Sequence, residues 1–312
     1  MNKIGIIQDP RYLEHITGPL HPERAERLIA IKKMLRDSGL ENKCIKLEPR
    51  EASEDEIALV HTRELIEQVK DTANRSSTYL DADTHASQHS WEAAKLATGG
   101  LLLATDELSK GNLDEAFAFP RPPGHHAERD HAMGFCLFNN VAIAAEYALK
   151  KFGLKKVLIL DFDVHHGNGT QHIFEDRSDV FYISLHRYPF YPGTGASSEK
   201  GKGRGEGYTL NIPLSAGGGD EIYHFKFSEL IEPTVIQYKP DLLIVSAGFD
   251  SHEKDPLGGM DVTKFGFKAM AESIEKMKKA CENIPVLYAL EGGYSLEGLS
   301  ESVKEVVKVM LD

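Results

Sequence analysis

The sequence predicts an α/β protein, with a single open, mostly parallel sheet flanked by helices on both faces. Short apolar runs rich in Val, Ile and Leu alternate with amphipathic segments along all 312 residues, as expected for parallel strands joined by helical crossovers. These runs show little alternation with polar residues, which is typical of strands covered on both sides. Neither an internal repeat nor a low-complexity linker divides the chain, so we predict one domain over residues 1–312.

Seven strands are predicted from short apolar runs that end in polar or turn-forming segments. In chain order they are Ile4–Ile7, Ala116–Phe119, Val157–Leu160, Val180–Leu185, Leu210–Ile212, Leu242–Ser246 and Val286–Leu290. The stretch Gly193–Gly207 contains six glycines and several charges, which predicts a surface loop rather than a further strand.

The predicted helices are amphipathic segments between these strands. The first begins at Pro22, a residue suited to the first helical turn, and ends before Gly39. Its apolar stripe consists of Leu28, Ile31 and Leu35. The other predicted helices are Trp91–Leu108, Val141–Lys151, Glu221–Tyr238, Thr263–Cys281 and Leu296–Leu311.

Composition limits the partners and the compartment. The net charge of −12 disfavours direct binding to nucleic acid, which needs a basic face; a cationic substrate fits better, although many soluble proteins are equally acidic. Cys44, Cys136 and Cys281 give no disulfide framework. The first residues lack the apolar run of a secretion signal, and no stretch reaches the roughly 18 apolar residues of a membrane span. We therefore expect a cytoplasmic protein, with its oligomeric state open.

Chemically reactive residues follow several predicted strands directly. Sites in open parallel sheets form beyond the carboxyl ends of the strands. The residues concerned are the Asp161 to Asn168 segment, Ser184-Leu-His186, Ser246-Ala-Gly-Phe-Asp250 and Glu291-Gly-Gly-Tyr294. Their shared position predicts a functional site at this edge of the sheet.

The segment Asp161-Phe-Asp163-Val-His165-His166-Gly-Asn168 predicts a metal site. Residues two apart share a face in an extended chain, so Asp163 and His165 can approach one ion, with Asp250 as a third ligand. Three protein ligands and an open position are typical of catalytic zinc. The same donors also suit Fe(II), Co(II) or Mn(II). The alternative is that these acids only cap loops and helix starts.

A pair of adjacent histidines, in Arg121-Pro-Pro-Gly-His125-His126, is the second candidate feature. Buried side by side near a metal, the two rings would have shifted and coupled pKa values suited to acid–base work. Asp161 and Asn168, one anionic and one neutral, are candidate partners that would give the rings different proton affinities. Alone, such a pair is also common on protein surfaces. His172 and the other isolated histidines are interpreted as surface or core residues.

Together these motifs resemble the histone deacetylase family, whose fold is shared with arginases. The resemblance is closest to its class II branch and bacterial or archaeal relatives, because Asn168 stands where class I members carry Asp. It spans essentially the whole chain, since two further motifs also match: His21-Pro-Glu-Arg-Ala-Glu-Arg27 and Met133-Gly-Phe-Cys-Leu-Phe-Asn-Asn140.

The resemblance implies zinc-dependent hydrolysis of an N-acyl amide. Zinc would be held by Asp163, His165 and Asp250, with His126 as general base and His125 as its electrostatic partner. The hydroxyl of Tyr294 would stabilise the oxyanion. The resemblance also implies structural potassium, bound by backbone carbonyls of Asp161, Asp163, His165 and Leu185 with the Ser184 hydroxyl. A second potassium site would lie near Phe174, Arg177, Val180 and Tyr208.

Substrate residues are also implied by the resemblance. Gly134, Phe135 and Tyr191 match the walls of a narrow channel, although neighbouring Phe190 competes with Tyr191. Asp83 matches a rim position that accepts hydrogen bonds from substrate N–H groups, but it also suits a turn or a helix N-cap. Leu257 matches a gatekeeper position.

Polyamine-specific members carry Glu at this gatekeeper position, so Leu favours acyl-lysine over acetylpolyamines, the alternative substrates. A metal-bearing binding module is disfavoured by the retained histidines and Tyr294. An arginase-type ureohydrolase would need a richer two-metal ligand set than the sequence offers.

Overall fold

An eight-stranded sheet forms the centre of the computed structural model, which describes residues 2–312. Every strand pair in it is parallel. Its strands are β1 Ile4–Ile7, β2 Ile45–Leu47, β5 Glu115–Ala118, β6 Val157–Asp161, β7 Val180–Arg187, β8 Thr209–Leu214, β9 Leu242–Ala247 and β10 Val286–Leu290, in the order β2-β1-β5-β10-β9-β6-β7-β8. Strands β3 (Thr78–Tyr79) and β4 (His85–Ala86) form a separate antiparallel hairpin.

The helices connect and cover these strands. They are α1 Glu26–Asp37, α2 Glu54–Ile57, α3 Arg63–Lys70, α4 Ser90–Ser109, α5 Asn140–Phe152, α6 Asn168–Phe174, α7 Asp220–Lys226, α8 Glu232–Tyr238, α9 Lys264–Ala280 and α10 Leu296–Leu311. Within residues 2–312, none is long and apolar enough to cross a membrane.

Two hydrophobic cores lie on opposite faces of the sheet. In β6, Leu158 and Leu160 belong to one core, while Val157 and Ile159 belong to the other. All four are fully buried, because side chains alternate between the faces of a strand and helices cover both. The predicted fold class is therefore confirmed, and each predicted strand is present with small shifts of its ends.

Two predicted helices differ from the structure. The first begins at Glu26, not Pro22, and the segment before it is held by the buried Glu23 side chain, which contacts Arg121. The predicted helix Glu221–Tyr238 is interrupted by a π-helical turn at Phe227–Ile231. Pro233, in the first turn of α8, lacks an N–H and disrupts regular α-helical bonding to the preceding turn.

A buried ion cluster fixes the segment before α1. Glu23 Oε1 accepts hydrogen bonds from Arg121 Nε at 2.7 Å and Arg27 Nη1 at 3.2 Å, and all three side chains are at most 1% exposed. Arg27 Nε also donates to the Gly293 carbonyl at 2.7 Å. The cluster thus connects the N-terminal segment to the turn after β10.

Replacing Glu23 with glutamine is expected to lower the free energy of unfolding by about 3 kcal/mol, because two buried guanidinium groups lose their carboxylate. Burial opposes ionisation of Glu23, but Arg121 and Arg27 outweigh it and lower its pKa to about 2. Since the folded-state pKa lies below the ordinary carboxyl value, this stabilisation is complete above the ordinary value and is lost as the pH falls toward 2.

Urea unfolding of wild type and Glu23→Gln at several pH values between 6 and 3 measures this effect, with the exposed Glu64→Gln as control. The difference between wild type and Glu23→Gln should shrink on acidification. A variant that unfolds like wild type at pH 6 would contradict the prediction.

Candidate active site

Three potential metal ligands meet where two neighbouring strands end. Asp163 and His165 follow β6, Asp250 follows β9, and these strands pair directly. His165 Nδ1 lies 3.1 Å from both Asp163 Oδ1 and Asp250 Oδ2. One potential ligand atom from each residue lies within 4.8 Å of those from the other two. The structure thus brings together the three residues that the sequence singles out.

The chemistry of this trio fits a divalent cation. Both carboxylates are fully buried, and Asp250 Oδ2, although 3.1 Å from His165 Nδ1, has no hydrogen-bond partner of suitable geometry among residues 2–312. Burial and the neighbouring Asp163 raise the pKa of Asp250 to about 7, although His165 acts in the opposite direction. A Cβ on Gly292 would lie 2.1 Å from Asp250 Oδ2, so only glycine leaves room beside this oxygen. Zinc, Fe(II), Co(II) and Mn(II) all suit the donor set.

The adjacent histidines stand beside the trio with different partners. Their ring centroids are 4.0 Å apart. His125 Nδ1 lies 3.0 Å from Asp161 Oδ2, and His126 Nδ1 lies 2.7 Å from Asn168 Oδ1. All four side chains are buried. The structure therefore pairs one histidine with a carboxylate and the other with a neutral amide.

These partners separate the proton affinities of the two rings. Burial opposes charge on His125, but Asp161 and Asp163 outweigh it and raise its pKa to about 10. Burial, together with the positive charges of His125 and His165, lowers the pKa of His126 well below its usual value. One ring therefore favours the cation and the other favours the neutral base, as acid–base catalysis requires.

Glu291 holds the backbone of the segment that carries His125 and His126. Its Oε2 accepts hydrogen bonds from the backbone N–H groups of Gly124 at 2.7 Å and His125 at 3.2 Å. Burial raises the pKa of Glu291 to about 7. The sequence places Glu291 at the end of a strand, but its partners lie more than 160 residues earlier, so their contact has no local sequence signal.

A cavity of about 160 Å³ leads to this site. It is lined by Asp83, His126, Gly134, Phe135, His165, Tyr191, Leu257 and Tyr294. Tyr191 packs edge-on to His126, with ring centroids 5.1 Å apart, whereas Phe190 stacks on the His165 ring at 5.3 Å. Of the two neighbouring aromatic candidates, Tyr191 is the one that lines the cavity. The predicted rim and wall residues surround one opening.

Backbone contacts hold the residues at the mouth in place. Asp83 Oδ1 accepts a hydrogen bond from Gly134 N at 3.2 Å. Asp255 Oδ2 accepts one from Tyr294 N at 2.6 Å, and its Oδ1 accepts one from Leu257 N at 2.9 Å. Asp255 thereby holds the backbone of both Leu257 and Tyr294, a role that its place in the sequence did not reveal.

The residues of the predicted potassium sites occupy two regions beside β7. Ser184 and Leu185 are buried within β7, and the Ser184 hydroxyl lies 2.8 Å from His186 Nδ1. In the second region, Arg177 N donates to the Phe174 carbonyl, and the guanidinium lies over the Phe174 ring. Val180 begins β7, and the Tyr208 carbonyl accepts from Tyr182 N. Potassium binding stays a prediction.

An eight-stranded parallel sheet that carries this site at its carboxyl edge defines an α/β protein of the arginase/deacetylase fold. The model of the histone deacetylase domain matches residues 21–310. The chain belongs to the histone deacetylase family.

Relatives and a solved structure agree with this assignment. The chain is 44% identical to histone deacetylase 15 of Arabidopsis thaliana over 97% of its own length, but it spans only 56% of that relative. It is 40% identical to the human polyamine deacetylase HDAC10 over 93% of its length, which is 44% of that protein. The crystal structure of the HDA15 HD domain superimposes with a TM-score of 0.95 at 43% identity, covering 99% of this chain and 88% of the other.

Proposed function

We propose that this chain hydrolyses N-acyl amides, with acyl-lysine in a peptide or protein as the preferred substrate. One observation carries the proposal: the same cavity is lined by His165 of the acid–imidazole trio, by His126 of the histidine pair and by Tyr294. Asp163, His165 and Asp250 would hold one zinc ion. When bound, zinc polarises a substrate carbonyl and lowers the pKa of a water molecule.

The side chains around the trio supply the proton transfers. His126, which is neutral and donates from Nδ1 to Asn168, keeps its Nε2 lone pair free to accept a proton from the attacking water. Before the reaction His125 carries a proton because Asp161 stabilises the cation, and this cation stabilises developing negative charge. Either histidine returns a proton to the leaving amine. The Tyr294 hydroxyl donates a hydrogen bond to the oxyanion.

Shape and charge at the mouth support acyl-lysine. The aromatic rings of Phe135 and Tyr191 suit an aliphatic stem, and Asp83 can accept a hydrogen bond from the substrate backbone. Leu257 lines the cavity with 37% of its surface exposed, and it offers no charge to a second substrate ammonium. Acetylpolyamines are the second candidate substrates, since a relative is named for that activity.

Comparing kcat/KM for an acetyl-lysine peptide and N-acetylputrescine tests this preference. We expect roughly tenfold or more in favour of the peptide, because one unmet ammonium contact is worth about 1.4 kcal/mol. Leu257→Glu should move the ratio toward the polyamine, and the neutral Leu257→Gln controls for polarity. A wild-type preference for acetylputrescine would overturn the assignment to acyl-lysine.

A further inference from the structure

The hydrogen bonds that begin at His126 continue beyond Asn168 toward the protein surface. Asn168, at the start of α6, donates from Nδ2 to Glu128 Oε1 at 2.5 Å. The same Glu128 oxygen lies 2.8 Å from Nδ1 of His172. Asn168 is 3% exposed and Glu128 9%, while His172 is half-exposed. His172, which had no evident partner in the sequence, is thus the last member of a hydrogen-bond network that links His126 to solvent.

The surroundings of the Asn168 amide determine which of its ends faces His126. A carboxamide has one donor end and one acceptor end of similar shape. Around Nδ2 stand Glu128 Oε1, the His126 carbonyl at 3.3 Å and Met133 Sδ at 3.3 Å. All three are acceptors without a hydrogen to donate, so the NH₂ group faces them and Oδ1 faces the imidazole.

This orientation fixes the tautomer of His126. Because Oδ1 only accepts, the hydrogen of the neutral ring must be on Nδ1, and Nε2 is left unprotonated in the cavity. Of the three acceptors around Nδ2, Glu128 carries the charge and makes the shortest contact. Charge-assisted hydrogen bonds are roughly twice as strong as neutral ones. Glu128 therefore contributes most to the orientation of the Asn168 amide.

We infer that Glu128 is a positioning residue, which orients the Asn168 amide and thereby keeps His126 in the tautomer that can act as a base. The inference rests on the proposed function for the role of His126. Glu128 touches neither the cavity nor the trio, and it acts only through Asn168.

The local backbone allows the side chain of Glu128 to be changed without loss of the loop. Glu128 N donates to the His131 carbonyl at 3.0 Å, and the Glu128 carbonyl lies 2.9 Å from His61 Nδ1. Neither contact involves the carboxylate. Glu128→Gln keeps the size of the side chain and both backbone contacts, but it adds a donor where only acceptors stood.

A double-mutant cycle tests the inference through turnover. Glu128→Gln should lower kcat by about tenfold with little change in KM, because the Asn168 amide can then rotate by half a turn and exchange its oxygen and nitrogen. Asn168→Asp should be more damaging, since it brings two buried carboxylates together. The double variant should recover at least about tenfold over Asn168→Asp, because the new glutamine can donate to the new carboxylate. A merely structural role for Glu128 predicts additive losses.

Nitrogen NMR of ¹⁵N-histidine-labelled protein gives a readout that needs no turnover. Wild-type His126 should show the Nδ1-protonated neutral tautomer, and Glu128→Gln should shift it toward the Nε2-protonated form. The exposed Asp130→Asn serves as control and should change neither tautomer nor turnover.

The two experiments separate failure of the inference from failure of the proposed function. An inactive wild type with the expected tautomer change would reject the function but keep the positioning role. An active enzyme with additive losses and an unchanged tautomer in Glu128→Gln would overturn the inference.

Discussion

Replacing Asp250 with asparagine is expected to lower kcat/KM by at least about 10³-fold, because the proposed ion would lose one of its two anionic ligands. The same change should not destabilise the metal-free protein. Asp250 and Asp163 are both fully buried, so removing one of them relieves repulsion, while Asp163 Oδ1 remains 3.1 Å from His165 Nδ1. Asp250 Oδ1 accepts from Val164 N at 2.9 Å, a bond that the amide oxygen of asparagine can keep.

Activity on an acetyl-lysine peptide and thermal unfolding of the metal-free proteins measure these two effects. The exposed Asp71→Asn provides a matched control, and both properties should stay at wild-type values in it. A variant of Asp250 that keeps a tenth of the wild-type activity would show that this carboxylate is not required.

Tyr294→Phe is expected to lower kcat by about 10²–10³-fold, the usual cost of losing one oxyanion donor. KM should change little, because the hydroxyl acts on charge that develops only in the transition state. Stability should also be preserved. The ring packs edge-on to Phe135 at 6.0 Å and lies 5.1 Å from the Arg27 guanidinium, and phenylalanine can keep both contacts.

Steady-state kinetics with the peptide substrate, combined with urea unfolding, separate these effects. Tyr79→Phe, at a residue 67% exposed, controls for removal of a hydroxyl elsewhere. An unchanged kcat in Tyr294→Phe would remove this hydroxyl from the mechanism, whereas a large loss of stability would point to a structural role.

The sequence predicts well those features that depend on local pattern and sheet geometry. The ends of β6 and β9 carry Asp163, His165 and Asp250, and the rule that parallel strands end at one edge is enough to bring them together. The family resemblance added the channel residues, but it did not decide whether Phe190 or Tyr191 forms one wall of the channel. In the structure Tyr191 lines the cavity, whereas Phe190 stacks on the ring of His165.

The features that could not be predicted from the sequence are short elements and contacts between residues far apart in the chain. Strand β2 has only three residues, which are mostly exposed, so it lacks the apolar run of a buried strand. Glu128, Asp255 and Glu291 are acidic residues whose roles come from hydrogen bonds to partners elsewhere in the chain. The role of each carboxylate follows from its burial. Burial of these residues results from tertiary packing and leaves no periodic pattern in the sequence.

We propose that a carboxylate and an imidazole after β6 share one ion with a carboxylate after β9. The most direct test is elemental analysis. The protein is first equilibrated with zinc and then freed of excess metal. We predict about one zinc per chain in wild type and Asp71→Asn, and almost none in Asp163→Asn or Asp250→Asn. Zinc retained in equal amount by all four proteins would contradict the claim.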